Sequence, residues 1–187
     1  KTLAEHADDP MVFWTPLFAR AATTLREVGT SVIGVDFLFA LTPEEWITKR
    51  NLAGSDALRD YDLPFRTELN KGQVVLVGSL VRGNPGEQDG LLLAHPDYLL
   101  SLPSTDFAGH VAFADLLLDQ DGAVRRFEVA LPANLPSDLK VGAPRFSLGA
   151  LVAGRAAGVD PSTTHWKVGG RAIATNQVGT ISYAGPP

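Results

Sequence analysis

No cysteine occurs anywhere in the 187 residues, and that one absence excludes disulfides, thiolate metal sites and cysteine nucleophiles together. It leaves the compartment open, because disulfide-free domains occur on either side of a membrane once the core is large enough. Long apolar runs are missing as well: none approaches the ~20 residues that a membrane helix needs, and no secretion signal is recognisable before the first predicted element. Basic clusters are absent too. The net charge is −5, and Lys49-Arg50 and Arg125-Arg126 are the only adjacent basic pairs, so the electrostatic footprint of a nucleic-acid-binding surface is lacking.

What is there is the material of a globular core, with 45% of residues hydrophobic and 20% charged. A chain of this length folds as one domain and buries about 70% of the surface its unfolded form exposes, so no metal or disulfide staple is needed. It begins at Lys1 without an initiating methionine and stops at Gly185-Pro186-Pro187. That turn signal directly after an apparent strand reads as the edge of a piece excised from a longer chain.

Thr15-Pro16 reads as a cap and first-turn pair opening a helix. Leu17, Ala21, Leu25 and Val28 then form its core stripe, Phe18 and Ala22 widen it, and Gly29 supplies the left-handed stop. Ser31 to Phe39, SVIGVDFLF, reads as a parallel strand covered on both faces. Thr42-Pro43-Glu44-Glu45 opens a short helix bearing Trp46, and Ser55 opens another, interrupted at Asp62-Leu63-Pro64 and resumed to Lys71-Gly72. Gln73 to Leu80 is a second buried strand. Helix followed by buried strand, twice, predicts an α/β fold: a central, mixed but largely parallel sheet with helices on both faces.

Arg82 to Gly90 reads as a loop, and Pro96 to Leu102 as one helical turn. His110 to Leu118 and Val124 to Leu131 form an antiparallel hairpin expected to join the sheet, turning at Asp119 to Ala123. Pro132 to Pro144 is a loop, and Arg145 to Gly158 a helix with Phe146, Leu148, Leu151 and Val152 on its apolar stripe. Short strands follow at Trp166 to Val168, Ala172 to Ala174 and Thr180 to Tyr183.

Four positions are candidates for ligand binding. Asp36, at the carboxyl end of a parallel strand, sits where open α/β sheets bind ligands, or else caps a loop or pairs with a cation. Gly78, after VVLV, lets a ligand approach backbone closely or permits a turn. Arg125 and Arg126 point to opposite faces of their strand, so at most one is inward, and an inward guanidinium needs a carboxylate or an anionic ligand. Asp119-Gln120-Asp121-Gly122 has the opening of a calcium loop, but a strand separates it from Glu128, and a turn with Gly122 at positive φ accounts for the spacing without metal.

Enzymatic signatures are wanting. Gly149 to Gly154 has the spacing of a phosphate loop, but Arg155-Ala156 follows and the segment is helical, so close helix packing is the reading. There is no G-x-S-x-G elbow, and His6, His95, His110 and His165 are scattered. Neither a catalytic residue, a cofactor nor a metal is assigned.

The ordered set LREVG, VIGVDFLF, VVLVGS, DQDGAVRRF, FSLGALVAGRAAG and ISYAGPP resembles the CHASE domain of the second type, over about Trp14 to Pro187. The resemblance implies an extracytoplasmic sensory domain of a bacterial membrane receptor. Such a domain is anchored by flanking membrane helices and regulates a cytoplasmic adenylate cyclase, histidine kinase or serine/threonine kinase. It implies no defined ligand. Asp36, Gly122, Arg125 and Arg126 match the family pattern, whereas the family's usual first strand ending in paired acids is represented here only by Asp8-Asp9.

The sequence thus supports a sensory module that binds an unidentified small molecule, takes no nucleic acid and is compatible with a homodimer. Two other readings stand beside it: a small α/β hydrolase or nucleotide-using enzyme centred on Asp36 and Gly78, and a ligand-free dimerisation scaffold.

Overall fold

The structure is a computed structural model that describes residues 6, 8–81, 90–105, 107–115, 117–130, 145–160, 166–173 and 178–180. Its contacts divide the chain into two units, the first made of Lys1–Ile33, Phe39–Val74 and Ala94–Thr105, the second of Gly34–Leu38, Val75–Leu93 and Asp106–Pro187.

The first unit is helical. A 3-10 turn at Met11–Trp14 leads into α1 (Thr15–Glu27), so Trp14 holds the cap position without a side-chain bond and Thr15 is the first helical residue, fully buried. The expected cap at Thr15 is therefore displaced by one residue. At the other end Gly29, with φ 92, donates to Arg26 O at 2.9 Å and Thr30 N–H reaches Leu25 O at 3.0 Å, the paired closure anticipated for a glycine there.

The face that α1 buries matches the expected one in part: Phe18, packed on Phe39 and Phe65, and Ala22 are inward as anticipated, and the far end of the stripe is not. Thr15, Ala19 and Ala22 are inward, whereas Leu25 is 41% and Val28 75% exposed. Two stripes offset by two residues satisfy the helical period equally, and the choice is made by α3 (Leu63–Asn70). Thr23 Oγ1 donates to Glu68 Oε1 at 2.7 Å and Arg26 Nε faces Glu68 Oε2 at 3.5 Å. Burial pushes the Glu68 carboxyl up, but hydrogen bonds from Lys71 and Thr23 and the charges of Lys71 and Arg26 outweigh it and hold the group below its ordinary value.

Thr42 opens α2 (Pro43–Lys49) as anticipated, its Oγ1 accepting the Glu45 N–H at 3.1 Å. A 3-10 turn at Ser55–Leu58 precedes α3, where Pro64 lies in the first turn and starts the helix instead of interrupting one. In α4 (Pro96–Leu100) the cap is His95, whose Nδ1 accepts the Asp97 N–H at 3.3 Å. The core of this unit is aromatic: Phe39 lies 4.7 Å from Phe65 and 5.5 Å from Tyr98, ring centre to ring centre, and all three are buried.

Strands dominate the second unit. Ile33 N–H reaches Gln73 O at 2.8 Å and Val35 N–H reaches Val75 O at 3.0 Å, equal steps that make β1 (Ile33–Gly34) parallel to β2 (Val74–Val81). The short β3 (Gly90–Leu92) runs antiparallel to the end of β2, starting where the expected loop Arg82 to Gly90 ends, while β4 (Val111–Phe113) is parallel to β2 with Gly78 opposite Phe113. The result is a mixed α/β sheet, and the three residues of β4 are all buried, as a strand covered on both faces requires. Ser31 to Phe39 is not one covered strand. Its bonds to β2 among the described residues reach Val35, Asp36 is exposed, and Phe39 belongs to the aromatic core of the first unit.

His110 to Leu118 likewise divides, into β4 and β5 (Leu117–Leu118). The anticipated hairpin joins β5 to β6 (Val124–Glu128), and Gly122 takes φ 77 in its turn, a conformation for which glycine carries no steric cost. Phe146 is buried just ahead of α5 (Leu148–Ala156), and Ser147 Oγ caps that helix by accepting the Ala150 N–H at 3.4 Å, so the helix is shorter than expected. A Cβ on Gly34 would stand 2.8 Å from a Val152 methyl, which shows how closely α5 lies on β1. Beyond it β7 (Trp166–Val168) and β8 (Arg171–Ile173) pair around Gly169-Gly170, and β9 (Val178–Thr180) pairs with β6. Among the described residues the hairpin thus pairs within its own sheet, β5-β6-β9, and not with the central one. The loop expected at Pro132 to Pro144, most of Arg82 to Gly90 and the strand residues beyond Thr180 lie outside the described residues.

Candidate functional site

Within the second unit lies a partly enclosed cavity of about 550 Å³, in the range of small-molecule sites. Asp36 reaches it from just after β1, and Phe113, Ala114 and Asp115 from the end of β4. Both contributions come from the carboxyl ends of parallel strands flanking β2, where an open α/β sheet leaves a crevice. The last residues of β6 and the first turns of α5 form further wall, with Trp166 of β7 and Ile173 of β8.

The wall is mainly apolar, and its shape depends on one close contact. A Cβ on Gly154 would fall 2.6 Å from Trp166 Cζ3, so the indole lies directly on the helix backbone. Its other neighbour is Phe146, with ring centres 4.4 Å apart. The phosphate-loop spacing at Gly149 to Gly154 is accordingly helix packing, as anticipated, with Gly154 under the indole and Gly149 facing open space.

Four charged side chains border the cavity: Asp36, Asp115, Arg126 and Glu128. Asp115 Oδ1 accepts from Ser79 Oγ at 2.9 Å. Arg126 donates through Nε at 2.8 Å and lies through Nη2 at 2.7 Å from Asp119 Oδ1, so its guanidinium has a carboxylate partner from the start of the turn. Among the described residues, Asp36 and Glu128 have neither a hydrogen bond nor an ion pair. The indole N–H of Trp166, a residue only 2% exposed, is buried and has no acceptor among them.

Of the four residues singled out from sequence, the structure brings Asp36 and Arg126 to this cavity. Gly78 is buried within β2, its carbonyl accepting from Ala114 N–H at 3.2 Å, and is not in the cavity wall. The backbone of Arg125 lies in β6, and its side chain is outside the described residues. Sequence reasoning missed Asp115, Glu128, Ser147 and Trp166. Glu128 carried a usable signal, because a residue two beyond Arg126 on a strand shares its face. Ser147 carried another, as a cap residue just before an apolar helix. Trp166 carried none, since its partner Gly154 is remote in sequence.

No histidine, lysine or cysteine lines the cavity among the described residues, and no group of three or more metal-ligating side chains occurs among them. His6 Nδ1 lies 2.7 Å from Asp9, His95 Nε2 lies 3.3 Å from Glu45, and His110 Nδ1 lies 3.3 Å from Arg155 Nη1. Arg155 also donates to Gly109 O at 2.8 Å, and burial lowers its pKa. His165 is outside the described residues. The arrangement is suited to holding a molecule with an apolar body against charged groups at its margin.

No described helix is long and apolar enough to cross a membrane. Neither a curated protein nor a solved structure matches the chain significantly. Residues 14–184 match the CHASE2 domain, and the chain belongs to that family of sensory extracellular domains.

Proposed function

We propose that this chain is the signal-input module of a bacterial transmembrane receptor. It lies outside the cytoplasmic membrane between membrane helices and regulates a cytoplasmic adenylate cyclase or protein kinase. The module itself binds and does not turn over its ligand. The observation that supports this reading is the cavity of about 550 Å³ at the carboxyl ends of β1 and β4, apolar over most of its wall and bordered, among the described residues, by carboxylates instead of a nucleophile activated by histidine or lysine. A ligand there would favour one of two arrangements of the domain by the difference in its affinity for them, and the flanking helices would carry that difference inward.

The parent coding frame tests the arrangement. Spans of about 20 apolar residues on both sides, followed by a cyclase or kinase domain, are the expected result. A frame that closes soon after Pro187 without an upstream span overturns it, and so does conversion of a physiological substrate by the isolated chain.

A further inference from the structure

The charges around the cavity are unevenly matched. Among the described residues, carboxylates outnumber cations on the wall three to one, and the described cation, Arg126, is bound to Asp119. Asp115 is held by Ser79, whereas Asp36 and Glu128 have no partner among the described residues. The amino end of α5 also borders the cavity and adds partial positive charge, but a helix end carries only about half a unit, less than one carboxylate. Ser147 Oγ already takes the Ala150 N–H there. The field that the described residues set at the cavity is therefore negative, and it lies beside apolar wall in which a carboxylate is screened less than at an open surface.

A second observation concerns the wall itself. Trp166 is buried, yet its indole N–H has no acceptor among the described residues. That nitrogen has no surface open to solvent, so what Trp166 offers an occupant of the cavity is apolar ring carbon.

We infer that the cavity takes an organic amine with an apolar body: a protonated nitrogen meeting Asp36 and Glu128, and a hydrocarbon or aromatic portion against an apolar wall that includes the Trp166 ring. This deepens the reading of the chain as a ligand-sensing module and rests on it.

Three probes of one shape isolate the charge: phenoxypropylamine, phenoxypropanol and phenoxypropionate share an aromatic ring and an ether oxygen and differ at one end. Calorimetric titration of the full chain should give the amine an affinity about tenfold above the alcohol, with the acid weakest of all. Glu128→Gln and Asp36→Asn should each lower the amine's affinity about tenfold and leave the alcohol's unchanged. Retained alcohol binding shows that the variants are folded. Asp56→Asn removes the same charge from a residue off the cavity wall and should change neither. Ala150→Trp, which places an indole in the cavity, should abolish binding of both.

Alcohol binding as tight as amine binding, or tightest binding by the acid, overturns the inference and leaves the sensing module standing. A parallel loss of amine and alcohol in the carboxylate variants also overturns it, because the carboxylates would then act through the fold. Failure of all three probes up to millimolar concentration removes the cavity as a small-molecule site and takes the sensing reading with it.

Discussion

Gly154→Ala should destabilise the protein even though alanine is the better helix former. The new Cβ would stand 2.6 Å from Cζ3, 2.9 Å from Cη2 and 3.2 Å from Cε3 of Trp166. Carbon atoms attract best at about 3.5–4.0 Å, so the indole must withdraw by about 1 Å. It has little freedom to do so. Trp166 is 2% exposed, and its ring packs on Phe146, which is 1% exposed. Overpacking of this kind costs about 1–3 kcal/mol, while replacing a helical glycine by alanine contributes about 1 kcal/mol in the other direction. Gly149→Ala in the same helix isolates the clash, because no atom lies within 4 Å of a Cβ there. In chemical denaturation followed by circular dichroism, Gly154→Ala should be about 1–3 kcal/mol less stable than Gly149→Ala, with a changed near-ultraviolet tryptophan signal. Equal stability of the two variants would refute the packing argument and, with it, the view that Trp166 is fixed in the cavity wall by contact with α5.

Two further expectations concern the first unit. Glu68→Gln should cost about 1–2 kcal/mol at neutral pH, since the charge-assisted bonds from Thr23, Arg26 and Lys71 weaken. Because the folded pKa of Glu68 is lowered, its contribution is complete above the unfolded value. The gap between wild type and variant should hold from neutrality down to about pH 5 and close as pH falls through the lowered folded value, and denaturation at several pH values reads this directly. Phe39→Ala should cost about 3–5 kcal/mol, because Phe39 is 2% exposed and meets Phe18, Phe65 and Tyr98. A loss under about 1 kcal/mol in denaturant unfolding would mean that this cluster does not hold the unit together.

The features that were legible in the sequence are those whose physics is local. Thr42 caps its helix because its hydroxyl meets an amide three residues on, and Gly29 and Gly122 sit at positive φ because the chain must turn there. The family pattern is of the same kind, being carried by short ordered runs. What was misread needed a partner distant in sequence. The sequence put Leu25 and Val28 on the apolar face of α1, and Glu68, more than 40 positions from Thr23 and Arg26, turns the helix so that Thr15 and Ala19 are buried with Ala22 instead. The run Ser31 to Phe39 looked like one strand because every residue but Asp36 has a reason to avoid water or to bend. The reasons differ, however: Val35 bonds to β2, while Phe39 fills an aromatic core in the other unit.

The cavity repeats this division between local and distant causes. Asp36 could be placed at its margin because an acid at the end of a parallel strand has a predictable address, and Glu128 was within reach of the same logic. Gly78 shared that logic, and the structure puts it inside β2, opposite Phe113, because β2 continues past it to pair with β3. Strand length, which periodicity marks poorly, therefore decides which of two similar candidates reaches the cavity. Arg126 could be seen to need an anion, but Asp119 meets that need from the other side of a turn. Once that pair forms, the described cation at the cavity is spoken for, while Asp36 and Glu128 have no partner among the described residues. Of the two adjacent arginines in the sequence, the one described at the cavity is thus matched, the unmatched charge there among the described residues is negative, and that sign follows from a pairing that neither composition nor periodicity contains.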